Sequence, residues 1–203
     1  MNQILFDKNK NKKKAYLFKF QFILSIILAI IVIIFIFKIY NEDESLEIIS
    51  QNIDTNMKLY NIYNTTKIEQ TEELYFGRIN IEKIGLKYTV FNTYNEELLK
   101  ISPCKFYGST LEEKGNICIA AHNYNDNRFF GRIDELEIKD IIRLEDLNGN
   151  SYSYIIYEIF ETKDDDFSIL KSSKNYELTL LTCNNSNKNR IIIKAYRKEY
   201  WKI

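Results

Sequence analysis

A long apolar run near the start of the chain constrains its fold more than any other feature. Residues 20–40 are apolar apart from Gln21, Ser25 and Lys38. As a helix that rises about 1.5 Å per residue, this run would be about 30 Å long, which matches the hydrocarbon core of a bilayer. The run therefore predicts a transmembrane anchor, and the rest of the chain must fold outside the bilayer.

The charges on the two sides of this anchor predict its orientation. Residues 1–19, the predicted cytoplasmic tail, contain six lysines and one acidic residue, whereas Glu42, Asp43 and Glu44 follow the run. Because lysines favour the cytoplasmic side, we expect a single-pass protein of the cell membrane with residues 41–203 on the extracellular face. A cleaved signal peptide is the alternative, but the sequence after the run has no small-residue cleavage site.

The remaining chain divides into a spacer and one body. Residues 41–73 are polar, with an apolar residue at every third or fourth position, which predicts either an amphipathic helix or a solvated stalk. The predicted body is residues 74–203. The chain has 28 basic and 28 acidic residues, but seven basic and one acidic residue lie in residues 1–40, so the net charge after residue 40 is −6. An acidic body argues against nucleic-acid binding, which requires a basic patch.

The body contains many short segments with the period-two alternation of β-strands. Turn residues separate them, including Asn148-Gly149, which is a strong hairpin signal. Short helices are expected at 95–101 and 129–136. This pattern predicts an all-β barrel or sandwich. The predicted strands are 75–84, 87–91, 116–122, 141–144, 152–160, 178–182 and 191–196.

The sequence predicts no cofactor and no metal site. Its three cysteines and one histidine have none of the spacings of a zinc site. Cys104 and Cys118 are expected to be buried thiols. The acidic residues 164–166 lie in a predicted loop and supply too few ligands for calcium, which takes six to eight oxygens.

Three side chains that could take part in catalysis lie at the ends of predicted strands. Cys183 directly follows the strand 178–182, and Arg190 directly precedes the strand 191–196. If these strands are neighbours, both groups lie at the same end of the sheet. The only histidine, His122, ends the strand 116–122. A thiol, an imidazole and a guanidinium are the parts of a site for thiol-dependent acyl transfer.

These segments resemble the sortase family. Residues 179–183, Thr-Leu-Leu-Thr-Cys, match the TLxTC signature of sortases, and Arg190 stands where sortases place an arginine. Residues 115–123 are similar to the segment that carries the sortase histidine. The resemblance covers about residues 76–197. It implies an all-β fold, a sortase-type eight-stranded β-barrel with short helices, preceded by one N-terminal transmembrane helix.

The resemblance also implies a membrane-anchored cysteine transpeptidase. Cys183 would form a thioester with an LPxTG-like sorting signal, His122 would protonate the departing amine, and Arg190 would stabilise the oxyanion. The protein would then be attached to a cell-wall amine. Further residues expected to contact the substrate are Thr182, Phe167, Ile169 and Leu170.

The implied partners are secreted proteins with a sorting signal, a peptidoglycan precursor or other cell-wall amine, and the lipid bilayer. A housekeeping-like or sporulation-related sortase, of class A or class D, is favoured. No lid is evident before the barrel, no apolar segment follows it, and the stretch between Phe160 and Glu177 is too short for a long helical insertion. The alternatives are a thiol hydrolase on the same scaffold and a non-catalytic anchored binding module.

Overall fold

The computed structural model describes residues 18–39, 41, 48–53, 74–186 and 188–198, in two units, Met1–Ser45 and Leu46–Ile203. In the first unit, helix α1 (Phe18–Ile39) is long and apolar enough to cross a membrane. It corresponds to the predicted apolar anchor. Most of the predicted tail and most of the predicted spacer lie outside the described residues.

In the second unit, the described residues form eight β-strands that close into a barrel. This confirms the predicted eight-stranded barrel with short helices. The helices with described bounds are α2 (Glu96–Ile101) and the 3-10 helices Glu82–Ile84, Ile133–Glu135 and Phe167–Leu170, and residues 48–53 are also helical. The strands are β1 (Tyr75–Ile81), β2 (Leu86–Phe91), β3 (Cys104–Gly108), β4 (Gly115–Ala120), β5 (Ile141–Glu145), β6 (Ser151–Lys163), β7 (Tyr176–Cys183) and β8 (Asn189–Arg197).

The strand order brings distant parts of the chain together. Around the barrel the order is β1-β2-β3-β4-β7-β8-β6-β5, and β5 pairs with β1 to close the sheet. The β2–β3 and β4–β7 pairs are parallel, and all other pairs are antiparallel. Because β4 and β7 are parallel neighbours, their C-terminal ends lie at the same edge of the sheet.

Alternation along the strands gives the barrel an inner and an outer apolar layer. The inner layer fills the barrel and includes Ile117 and Leu178, which are opposite each other on β4 and β7. The outer layer includes Ala120 and Leu181, an outward-facing pair nearer the strand ends. Helix α2 and the 3-10 helix Phe167–Leu170 contribute residues to this outer layer, so they cover one side of the barrel wall.

The β5–β6 hairpin forms at the predicted Asn-Gly turn. Oδ1 of Asp146 accepts hydrogen bonds from the backbone amides of Asn148, at 2.9 Å, and Asn150, at 2.8 Å. Gly149 has a φ of 84°, a left-handed conformation that glycine adopts without strain. The turn chemistry of these residues therefore determines where the long strand β6 begins.

Several local predictions differ from the structure. The predicted strand 75–84 ends at Ile81, and Glu82–Ile84 form a 3-10 helix instead. Strand β3 was not predicted, because its register shifts between Lys105 and Tyr107 and this irregularity interrupts the alternation. Strand β4 ends at Ala120, two residues earlier than predicted. Within the predicted helix 129–136, only the 3-10 helix Ile133–Glu135 forms.

Candidate active site

The outer layer of the barrel ends in a cleft of about 240 Å³. Its apolar residues include Ala120 and Leu181, and α2 lines it with Glu96, Leu99 and Lys100. The cleft therefore lies on the outer wall of the barrel rather than in its interior. The side chains predicted to carry the chemistry, His122, Cys183 and Arg190, all line it.

Cys183 and Arg190 are brought together by the β7–β8 pairing. They are directly opposite each other in the antiparallel register. Directly opposed residues point to the same face of a sheet, and alternation from Leu181 places Cys183 on the outer face. Cys183 is exposed as the last residue of β7. The thiol and the guanidinium therefore share one side of the cleft, as the sequence predicted for neighbouring strands.

His122 reaches the same cleft through the β4–β7 pairing. Ala120 is opposite Leu181, so two further residues along each parallel chain bring His122 level with Cys183. The imidazole ring lies 5.0 Å from the ring of Tyr124, centroid to centroid. The backbone carbonyl of His122 accepts a hydrogen bond from the amide of Phe130 at 3.0 Å. The site thus combines a half-buried imidazole with an exposed thiol.

The other two cysteines are in a different environment. Cys104 and Cys118 have no exposed surface and belong to the outer apolar layer. Burial raises the pKa of each thiol to about 12. A thiol in this state is neither ionised at neutral pH nor accessible to a substrate. Cys183 is therefore the thiol of this chain that can act as a nucleophile.

The turn after β6 holds the arginine. Nε of Arg190 donates to the carbonyl oxygen of Asp164 at 3.3 Å. In the same turn, the carboxylate of Asp166 accepts hydrogen bonds from Thr162 Oγ1, at 2.6 Å, and from the backbone amide of Ser168, at 2.9 Å. These hydrogen bonds lower the pKa of Asp166 to about 2. Part of the acidic segment 164–166 thus supports local structure beside the cleft.

Comparison with known proteins decides the family. Residues 79–198 match the family model described as the Sortase domain. The chain belongs to the sortase family. A sortase A of Bacillus anthracis is 30% identical to this sortase over 108 residues, which cover 53% of this chain and 51% of that protein. A sortase A of Listeria monocytogenes is 28% identical over 108 residues, which cover 53% of this chain and 48% of that protein. This sortase thus spans about half the length of these relatives.

Solved structures are similar to the barrel. The structure of a Clostridium perfringens sortase D5 transpeptidase has 28% sequence identity and a TM-score of 0.64 to this sortase. The match covers 76% of this chain and 99% of that chain. The barrel described above is therefore the sortase fold.

The residues predicted to contact substrate occupy different positions in this sortase. Thr182 lines the cleft, but it is buried, and its hydroxyl donates to the carbonyl oxygen of Ala121 at 2.6 Å. Phe167 is 68% exposed, whereas Ile169 is buried in the outer apolar layer and Leu170 packs against that layer. None of the last three is among the residues that line the cleft.

Several residues of the cleft were not identified from the sequence. Tyr94, Glu96, Lys100 and Phe106 line it, although none belongs to a recognised motif. They reach the cleft because α2 and β3 pack beside β4, which is a long-range arrangement. The apolar positions of α2 were the available signal for a helix, but they did not indicate which surface the helix would cover.

Burial and nearby positive charges lower the pKa of His122 below the ordinary value for histidine. Burial is the largest cause, followed by the positive charges of Lys100 and Arg128, while Glu96 acts in the opposite direction. The imidazole is consequently more often neutral at pH 7 than a fully solvated histidine. Because the unfolded chain binds this proton more readily, the histidine's contribution to stability is lost as pH falls below about 6.5.

We expect the substitution Lys100→Gln to raise the pKa of His122, because it removes a positive charge from the cleft. Glu96→Gln should lower that pKa further. The chain has one histidine, so an NMR titration of the imidazole Hε1 resonance in untagged full-length protein in detergent measures it without ambiguity. Lys87→Gln, at an exposed position of β2, is the matched control and should leave the titration unchanged. Equal shifts from Lys100→Gln and Lys87→Gln would contradict this account.

Proposed function

We propose that this sortase is a membrane-anchored cysteine transpeptidase that cleaves an LPxTG-like sorting signal and joins the secreted protein to a cell-wall amine. The observation that carries the proposal is the arrangement of Cys183, Arg190 and His122 around one cleft. The similarity to a solved sortase D5 that is described as a transpeptidase supports it. The similarities to sortase A proteins and to sortase D5 support a class A-like or class D-like enzyme.

The first half of the proposed reaction forms a thioester. The Cys183 thiolate attacks the carbonyl carbon of the threonine in the signal, on the N-terminal side of the scissile bond. The Arg190 guanidinium, which stays protonated at neutral pH, stabilises the tetrahedral oxyanion. His122 donates a proton to the departing amine as the carbon–nitrogen bond breaks. The N-terminal part of the substrate remains on Cys183 as a thioester.

The second half of the reaction transfers the acyl group. The amine of a peptidoglycan precursor or another cell-wall component attacks the thioester carbonyl. His122, which became neutral in the first step, accepts the proton that the amine loses. The carbon–sulfur bond then breaks, a new amide forms, and Cys183 is regenerated. Water in place of the amine would give hydrolysis instead.

The proposed location follows from helix α1 and the charges around it. The helix is long and apolar enough to span a bilayer. The lysines that precede it in the sequence favour a cytoplasmic N-terminus. This orientation places the catalytic domain on the extracellular face, where secreted proteins and cell-wall amines are found.

The function can be tested with full-length protein in detergent and quenched peptides of LPxTG-like and NPxTN-like sequence. Each peptide is incubated with and without triglycine or diaminopimelate, and products are identified by mass. We expect cleavage of at least one peptide and an amide-linked product that appears only with an amine. Cleavage to the free acid under every condition favours the hydrolase, whereas no cleavage of any peptide by folded protein contradicts the proposed substrate class.

A further inference from the structure

Side chains join the segments of His122 and Cys183 at the point where the pairing of β4 with β7 ends. A backbone hydrogen bond from the amide of Ala121 to the carbonyl of Leu181, at 3.3 Å, continues the pairing one residue past β4. Beyond this point, side-chain hydrogen bonds connect the two segments. The hydroxyl of Thr182 donates to the carbonyl oxygen of Ala121 at 2.6 Å.

Two asparagines, Asn123 and Asn185, form the outer part of this connection, and we call the pair the asparagine clasp. Nδ2 of Asn123 donates to the carbonyl oxygen of Cys183 at 3.0 Å. In the reverse direction, Nδ2 of Asn185 donates to the carbonyl oxygen of Asn123 at 2.9 Å and to Oδ1 of Asn125 at 3.0 Å. The clasp therefore links Cys183 to Asn123, which is the residue that follows His122 in the chain.

His122 is held on both sides by this arrangement. The backbone carbonyls of Ala121 and Asn123, its two neighbours in the chain, both accept hydrogen bonds from the segment that contains Cys183. The regular strand pairs end before His122, with Ala120 opposite Leu181. Beyond that point, side-chain hydrogen bonds connect this segment to the segment of Cys183, while the backbone of His122 is also held by the amide of Phe130.

We propose that Asn123 and Asn185 are positioning residues for the His122–Cys183 pair. They hold the imidazole where it can exchange a proton with a group bound at the thiol, and this role rests on the proposed function of His122. An error of about 1 Å in such a geometry can cost roughly 10²-fold in rate. The hydrogen bonds of the clasp lie at an exposed rim of the barrel, so their loss leaves the inner apolar layer intact.

The test compares Asn123→Ala and Asn185→Ala with wild type in peptide cleavage. We expect kcat to fall roughly 10- to 100-fold, with KM and the melting temperature nearly unchanged. Asn185 lies in an exposed turn, so its variant remains informative if Asn123→Ala folds poorly. Asn175→Ala is the matched control, because Asn175 is an exposed asparagine outside the cleft, and it should retain the wild-type kcat.

Alkylation of Cys183 by iodoacetamide tests the clasp without any peptide. If the imidazole is held beside the thiol, the rate–pH profile of the wild-type protein has a step at the pKa of His122, measured by NMR. We expect this step to disappear in both clasp variants and to remain in Asn175→Ala. A step that persists in folded clasp variants, or that wild type lacks, overturns the proposal. Failure of all peptides despite a wild-type step instead counts against the transpeptidase function alone.

Discussion

Replacing Cys183 with alanine is expected to abolish both peptide cleavage and amine ligation. The proposed reaction passes through a thioester on this sulfur, and loss of a covalent nucleophile typically lowers kcat by about 10⁴-fold or more. The thiol is exposed, so the variant should fold and melt like wild type. The measurement is the initial rate of cleavage of the best peptide, with melting temperature recorded on the same samples.

Cys118→Ala is the matched control for this substitution. Cys118 is completely buried in the outer apolar layer, so its loss should lower the melting temperature and leave the rate per folded molecule close to wild type. If Cys183→Ala cleaved peptides at the wild-type rate, another group would have to be the nucleophile. If wild type and Cys183→Ala bound the same cell-surface protein and neither cleaved it, the non-catalytic binding module would be the better account.

Gly108→Ala is expected to cause a large loss of stability. Gly108 ends β3 with a φ of 105°, and a Cβ at this position would overlap the backbone carbonyl oxygen of Asn116 on β4. Neither chain can move freely, because Asn116 is buried and its side chain bonds to Ile169 and Thr179. We expect the free energy of unfolding to fall by more than about 3 kcal/mol.

The matched control for Gly108→Ala is Gly85→Ala. Gly85 also has a left-handed conformation, with a φ of 66°, but a Cβ there would meet no atom within 4 Å. This variant carries the conformational cost alone, about 1 kcal/mol. Urea denaturation followed by near-UV circular dichroism measures both variants. Equal losses at the two positions would show that backbone conformation, and not the overlap with β4, determines the cost.

The central part of the fold could be predicted from the sequence because its strands alternate cleanly. Leu178, Leu180 and Leu181 show which side of β7 faces each layer, and the following loop made an antiparallel partner plausible. The proximity of Cys183 to Arg190 followed from those two features. The sortase signature then supplied the closed barrel, which alternation alone could not distinguish from a sandwich.

The parts that could not be predicted depend on irregular backbone or on long-range packing. Strand β3 was missed because its register shift conceals the period of two. Ile169 was expected in a substrate groove, yet it is buried in the outer layer, and a local sequence of four residues does not reveal which surface it will meet. The clasp was missed for the same reason, since Asn123 follows a predicted strand, Asn185 stands in a predicted loop, and neither segment indicates that the two residues meet.

The parallel pairing of β4 with β7 also determines when the protein becomes reactive. The imidazole and the thiol come from segments about sixty residues apart, and their connection requires β4 and β7 to be neighbours. Pairings between such distant segments form late, because a long loop must first close. In a chain that has not yet folded, Cys183 is therefore not beside His122. The proposed reaction therefore becomes possible only after the barrel has folded.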